Sequence, residues 1–181
     1  MELTRKYRRR PLEALENPLL KNYLSLWQRQ RGDKPFPSRN ELSPRQLAPV
    51  MPHMTLARVV DGGRDLELRI IGNEIVQAYG ENYMGRSLSS LRHLVGEEMG
   101  DAYHVVVSEG LPVLLEGWFE IANQRCLHRE VLLTPLGESG EHVDHVLSVG
   151  ALSPDPHARM NIPLQDAGPA QETGRAFYAA S

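Results

Sequence analysis

Cysteine is almost absent from this chain: Cys126 is the one instance in 181 residues. An intrachain disulfide is therefore excluded, and a reducing, cytoplasmic setting is the simplest reading. Aromatic residues are scarce at 6%, so aliphatic side chains must carry the packing. No apolar run approaches the ~20 residues that a membrane helix needs, and no signal-peptide core follows the basic N-terminus. A G-x-x-x-x-G-K-[ST] phosphate loop is missing. The segment Gly80-Glu81-Asn82-Tyr83-Met84-Gly85 has no such lysine and reads as an ordinary loop. No helix-borne nucleophile stands beside a base, and no carboxylates pair convincingly, so no enzyme is expected. The net charge of −3 argues against wholesale nucleic-acid contact. Basic charge is concentrated in Arg5, Lys6, Arg8, Arg9 and Arg10. Such a run can touch nucleic acid or an anionic membrane. Without a second basic patch it reads instead as a flexible leader over residues 1–16.

What is present is a hydrophobic content of 41%, enough for one sizeable core. Asn17-Pro18 opens a helix over residues 18–31, with asparagine as N-cap and proline in the first turn. Leu20, Tyr23, Leu24 and Trp27 share one of its faces, and Gly32 ends it. Prolines 35, 37, 44, 49 and 52 mark a connector, with one helical turn over 44–48 capped by Ser43. These elements define a unit over residues 17–52. Residues 54–71 then read as a hairpin, its first strand over 54–60, turning on Asp61-Gly62-Gly63-Arg64. Leu66, Leu68 and Ile70 alternate with Glu67, Arg69 and Ile71 along its second strand. Asn73 caps a short helix to Tyr79, residues 81–95 are loop-like, and a longer helix spans 97–109 with Gly110 as its stop. Strands over 112–121, 125–136 and 142–152 follow, joined by short turns that imply antiparallel pairing. The expected fold is α+β: a five-stranded antiparallel sheet with helices on one face, plus an N-terminal amphipathic helix. The globular part covers 53–152, and the proline- and glycine-rich residues 153–181 form an extended or disordered tail.

The order β-β-α-α-α-β-β-β resembles that of PAS domains. Ser108-Glu109-Gly110-Leu111-Pro112-Val113 through Glu116 looks like the junction of their long helix and third strand. More specifically, the chain resembles the single-domain PAS proteins of alphaproteobacteria, the family labelled PAS_5. Leu26-Trp27 with Arg31-Gly32, Pro37 to Pro44, Leu68 to Asn73, and Leu132-Leu133-Thr134-Pro135-Leu136 carry the likeness. Where the family often shows threonine or serine after the strand-two glycine, Asn73 stands here and keeps the capping ability. The resemblance implies a bacterial regulatory module, a sensor in signal transduction. It carries over no catalytic residue, because the family shares none.

A ligand pocket, on this reading, lies between the concave face of the sheet and the helices. Its candidates are Leu68, Ile70, Ile75, Tyr79, Leu88, Leu91, Tyr103, Val107, Trp118, Leu132 and Val146, against the plainer reading that they only fill the core. No metal site is expected, since strand alternation puts His142 and Asp144 on one face and His145 on the other. No cofactor is expected either. A haem-binding PAS domain would use a histidine near His104, which reads more simply as exposed or hydrogen-bonded; His93 reads the same way. Cys126 lacks the helix and motif of a flavin-adduct cysteine. Glu97, Glu98 and Asp101 suit a helix start, and Arg69 is expected to pair with Glu67. The leading expectation is a non-enzymatic, cytoplasmic regulator acting by protein–protein contact on a signalling partner. The alternative is a sensor whose pocket is occupied by a cofactor or metabolite, haem and flavin being disfavoured. PAS domains commonly dimerise through an N-terminal helix, so a homodimer through Leu20, Tyr23, Leu24 and Trp27 is expected. The alanine-rich end Arg175 to Ser181 also resembles a degradation tag, against the plainer reading of a disordered terminus.

Overall fold

The computed structural model describes residues 4–120, 126–154 and 174–175, with side chains for 7–117 and 129–151. Its centre is one antiparallel sheet in the order β3-β2-β6-β5-β4-β1-β7. The strands are β1 (Thr4–Arg10), β2 (Met54–Val60), β3 (Asp65–Ile71), β4 (Val113–Glu120), β5 (Cys126–Leu136) and β6 (His145–Pro154). A two-residue strand, β7 (Gly174–Arg175), pairs with Thr4 and Arg5 at the outer edge. Helices α1 (Pro18–Arg31), α2 (Pro44–Leu47), α3 (Asn73–Tyr79), α4 (Arg92–Val95) and α5 (Glu97–Glu109) complete the fold.

Most elements follow from the local signals. The Asn17 side chain accepts from the backbone N–H groups of Leu19 and Leu20, 2.9 and 3.3 Å away. Gly110 closes α5 with φ at 65°, a left-handed conformation that glycine takes without steric cost. Helix α3 starts one residue earlier than expected. Gly72, not Asn73, is its N-cap, and no side chain caps it. Gly72 is required for another reason: a Cβ there would lie 2.3 Å from the carbonyl oxygens of Met51 and Pro52. The stretch expected to be loop-like over 81–95 holds a turn of 3-10 helix, Ser89–Leu91, and α4.

Two larger corrections concern the N-terminal part. The basic stretch is not a flexible leader. Residues Thr4–Arg10 form β1, antiparallel to β4 with Tyr7 opposite Gly117, so the sheet exceeds the expected five strands. Its charges are answered across the ladder and from α5. Arg8 and Arg10 both meet Glu116, the first at 2.8 Å, and Arg9 lies 3.7 Å from Glu109. Tyr7 is the anchor, a single aromatic side chain 3% exposed. The second correction concerns α1, which packs on this chain's own sheet. Leu20, Tyr23 and Trp27 are buried there, and Leu24 is half-buried against the core. Trp27 donates its indole N–H to the Pro135 carbonyl at 3.0 Å. Thr134 spends its hydroxyl proton on the Leu147 carbonyl, so Tyr23 donates to Thr134 Oγ1 across 2.6 Å. The sheet is thus covered on both faces, α1 on one and α3–α5 on the other. The face of α1 expected to bind a second copy is the inside of the domain. Of the expected tail, residues 153–154 end β6 and residues 174–175 form β7; the rest, including the proposed degradation tag after Arg175, lies outside the described residues.

Candidate functional site

Between the sheet and α3–α5 lies a cavity of about 50 Å³. From the helical side Ile75, Tyr79, Leu91, Leu94, Val95, Met99 and Tyr103 line it, and Leu88 comes from the preceding loop. Thr55, Leu68, Ile71, Arg129, Val131 and Ser148 line the sheet side, and Glu81 and Tyr83 stand at the mouth. The volume exceeds the ~10–15 Å³ that one water needs but is about a third of the ~150 Å³ that admits a benzene ring.

One permanent charge faces this largely apolar space. Arg129 is 5% exposed, in the middle of β5. Its Nη1–H donates to the Tyr7 hydroxyl at 3.0 Å, and the Tyr79 hydroxyl is a further partner. Burial works against the guanidinium's charge. The hydroxyls of Tyr7, Tyr79 and Tyr103 outweigh it and hold the pKa above its ordinary value. Room for the group is made by Gly150 on β6, where a Cβ would stand 2.6 Å from Nη2 and 2.8 Å from Nε. Glycine within a strand often marks such a close approach. Tyr103, on α5, shares a 2.8 Å hydrogen bond with Ser148 Oγ, and burial pushes its phenol up to about 12. At the mouth Tyr79 and Tyr83 meet edge to face, their ring centroids 6.4 Å apart. Burial, followed by the Glu81 carboxylate, raises the Tyr83 pKa.

Of the residues singled out from sequence, Leu68, Ile75, Tyr79, Leu88, Leu91 and Tyr103 are brought together here. The others are not, for identifiable reasons. A β-bulge displaces Ile70: Leu56 pairs with Ile70 but Ala57 with Leu68, leaving Arg69 as the extra residue. The alternation breaks there, so Ile71 and not Ile70 lines the cavity. Leu132 neighbours Val131 on β5 and takes the opposite face, beneath α1. Val146 is fully buried but fills the core away from the cavity. Val107 lines a separate open groove with Phe36, Val59 and Leu111. The side chain of Trp118 lies outside the described ones; its backbone pairs with His128 and Lys6. His104 is not a lining residue and stands close enough to Asp65 to act on its charge. Among the described residues no three potential ligands gather around a metal site. His142 precedes β6, and His145 Nδ1 lies 2.7 Å from Asp144 Oδ1. Arg69 does pair with Glu67, at 2.6 Å on the exposed side of β3.

Five of these strands, β2 to β6, with α3–α5 laid over the cavity, have the order and pairing of a known sensory fold. The model of one family, described as a PAS domain (PAS_5), matches residues 16–152. The chain belongs to the PAS domain family. Its match starts just before α1, so β1 is an addition to the matched part. No curated protein matches this PAS chain. Among solved structures it is similar to light-oxygen-voltage (LOV) domains. A LOV domain studied with a flavin analogue is 11% identical at a TM-score of 0.47, over 67% of this chain and 92% of that one. An RNA-binding LOV receptor is 16% identical at 0.48, over 81% of this chain but 38% of that one. The LOV protein of Rhodobacter sphaeroides is 9% identical at 0.44, over 80% and 72%. Likeness at these levels says nothing of what this PAS domain binds. No helix among its described residues is long and apolar enough to cross a membrane.

Proposed function

We propose that this PAS domain is a cytoplasmic, non-enzymatic signalling regulator that senses a small molecule in the cavity and passes the signal on by protein contact. The observation that carries this reading is the buried, permanently charged Arg129 on the wall of a largely apolar cavity. A group so costly to desolvate is a weak source of stability. Convergent polar groups in a small apolar pocket are the usual mark of a ligand site. The same residue supports a route outward, because its partner Tyr7 belongs to β1, the last long strand on that side of the sheet. A ligand that competes for the guanidinium loosens Tyr7. What then holds β1 is its ladder with β4 and the ion pairs of Arg8 and Arg10 with Glu116. The outgoing surface is therefore the β1 edge; a homodimer would have to use a surface other than the apolar face of α1.

Native mass spectrometry of the full chain tests the reading, combined with amide hydrogen exchange. A retained small molecule, with β1 amides exchanging faster when it is present, is the expected result. A chain that carries nothing, and whose β1 exchange is indifferent to every compound offered, would overturn it.

A further inference from the structure

We propose that the open groove beside α5 docks an extended segment of a partner protein, with an apolar side chain over Phe36, a carboxylate at Arg31 and a cation at Glu141. The groove forms where α1 ends, β2 turns into β3, α5 passes to β4, and β5 passes to β6. None of its residues lines the cavity, so it does not depend on what the cavity holds. Its volume of about 690 Å³ lies within the ~300–1,000 Å³ of binding sites. The floor is fixed in advance. A Cβ at Gly110 would lie 3.2 Å from the Phe36 ring, and one at Gly137 would lie 2.6 Å from it. Phe36 is 4% exposed, whereas Leu111 on the rim is 56% exposed, an apolar side chain left open among the described residues.

Charge narrows the occupant. Asp144 is engaged by His145 and by the backbone N–H of Glu138, and Glu109 faces Arg9. Arg31 and Glu141 enter no ion pair among the described residues. The Arg31 guanidinium lies 5.5 Å over the Trp27 ring, its Nε buried without a hydrogen-bond partner. Stacked in this way, it keeps its Nη groups for a carboxylate. Glu141 is exposed on a separate connection, between β5 and β6. A segment of one sign alone is drawn to one of these residues and repelled by the other, so the occupant carries both signs. Glycines 62, 63, 110 and 140 line the groove and leave its main chain open to close approach by another backbone. A small molecule is normally enclosed over ~70–90% of its surface, which an open groove does not do. Glu109 also ties the groove to β1 through Arg9, 3.7 Å away.

Selection of a randomised peptide display library on the full chain tests this, followed by fluorescence anisotropy with the recovered peptides. They should converge on an apolar residue accompanied by one acidic and one basic residue. Neutralising the acidic residue should weaken binding to the parent chain about tenfold, the loss of one charge-assisted bond, and should not weaken binding to Arg31→Gln. Neutralising the basic residue should cost about two- to fivefold on the parent chain and nothing on Glu141→Gln, as that carboxylate is exposed. Leu111→Ser should weaken every recovered peptide about five- to tenfold. Arg45→Gln, on exposed α2 outside the groove, should change nothing. Glu141 and Leu111 are exposed, so their variants read the groove even where Arg31→Gln disturbs Trp27. A library that yields no converging sequence, or one that converges on a single sign of charge, would overturn the assignment. Recovered peptides that bind all three groove variants as tightly as the parent would overturn it too, by placing their site elsewhere. A chain that dimerises in sedimentation, and whose dimer Leu111→Ser dissolves, would make a second copy the occupant and refute the partner segment.

Discussion

Gly150→Ala is the substitution whose sign best tests the account of Arg129. In a strand interior, alanine is ordinarily the better residue by about 0.5–1 kcal/mol, because glycine loses more conformational freedom on folding. Here the added methyl would stand 2.6 Å from Nη2, 2.8 Å from Nε and 3.1 Å from Cζ of Arg129. The guanidinium must withdraw, and it is not free to do so cheaply, being held at 3.0 Å on Tyr7 and bonded to Tyr79. Hydrogen bonds to a charged group contribute ~1.5–3 kcal/mol each, so loss of one outweighs the backbone gain and leaves a net cost of roughly 1–2 kcal/mol. Urea unfolding monitored by circular dichroism measures it. The midpoint should fall with an unchanged slope, and thermal unfolding should drop by ~2–4 °C per kcal/mol for a chain of this length. In an Arg129→Met background the flexible thioether yields to the new methyl, and the same change should be neutral or slightly stabilising. A Gly150→Ala protein at least as stable as the parent, or an equal cost in both backgrounds, would refute the reasoning.

Three further outcomes follow from the packing. Tyr23→Phe should cost about 1 kcal/mol, since Thr134 keeps its bond to Leu147. Tyr23→Asp should cost roughly 3 kcal/mol or more, and a Tyr23→Asp chain of parental stability would return the α1 face to an intermolecular role. On the alkaline side, the Tyr103 phenol ionises at about 12 when folded against 10.0 ordinarily, because burial raises it. Its contribution is complete below pH 10 and is lost as pH climbs from 10 to 12, roughly 3 kcal/mol in all, and Tyr23 shifts in the same direction. Tyrosinate absorbance from these two should therefore appear together with loss of the far-ultraviolet signal; ionisation near pH 10 in a chain with native dichroism would contradict this. Gly72→Ala should cost roughly 2–4 kcal/mol by forcing the Met51–Pro52 backbone away, and an unchanged urea midpoint would show that this contact is not tight.

Where a local rule governs a residue, the sequence was legible. Asn17-Pro18, Ser43-Pro44 and Gly110 each mark an element end by side-chain or backbone chemistry, and the structure keeps all three. Strand β1 was not legible, because only Tyr7 in Thr4–Arg10 is apolar and one buried residue gives no period. Its pairing depends on Glu116, more than a hundred residues away in the chain. The missed phase of β5 has a different origin. Glu130, Val131, Leu132, Leu133 and Thr134 are all buried, since helices cover both faces. Such a strand lacks the polar–apolar alternation that tells one face from the other.

The most informative residue at the site was hidden by a rule that usually holds. A lone arginine between a histidine and a glutamate reads as solvated, as arginine is rarely buried unless paired. Strand geometry offered a way past that rule. Arg129, Val131 and Leu133 share a face of β5, and Gly150 pairs with Val131 on β6. A glycine in the middle of β6, between Val149 and Ala151, weakens a strand that β-branched residues would otherwise favour. The weakness is explained only if something large must pass over it. Glu130 makes the converse point one residue along: it turns to the α1 face and accepts from the backbone N–H groups of Glu16 and Asn17 at 3.1 and 2.8 Å. Two adjacent charged residues thus serve opposite faces, the carboxylate fixing the entry to α1 and the guanidinium lining the cavity. Neighbouring charges in β5 could not answer one another, so the fold had to supply each with partners of its own. For Arg129 those partners include the hydroxyls of Tyr7 and Tyr79.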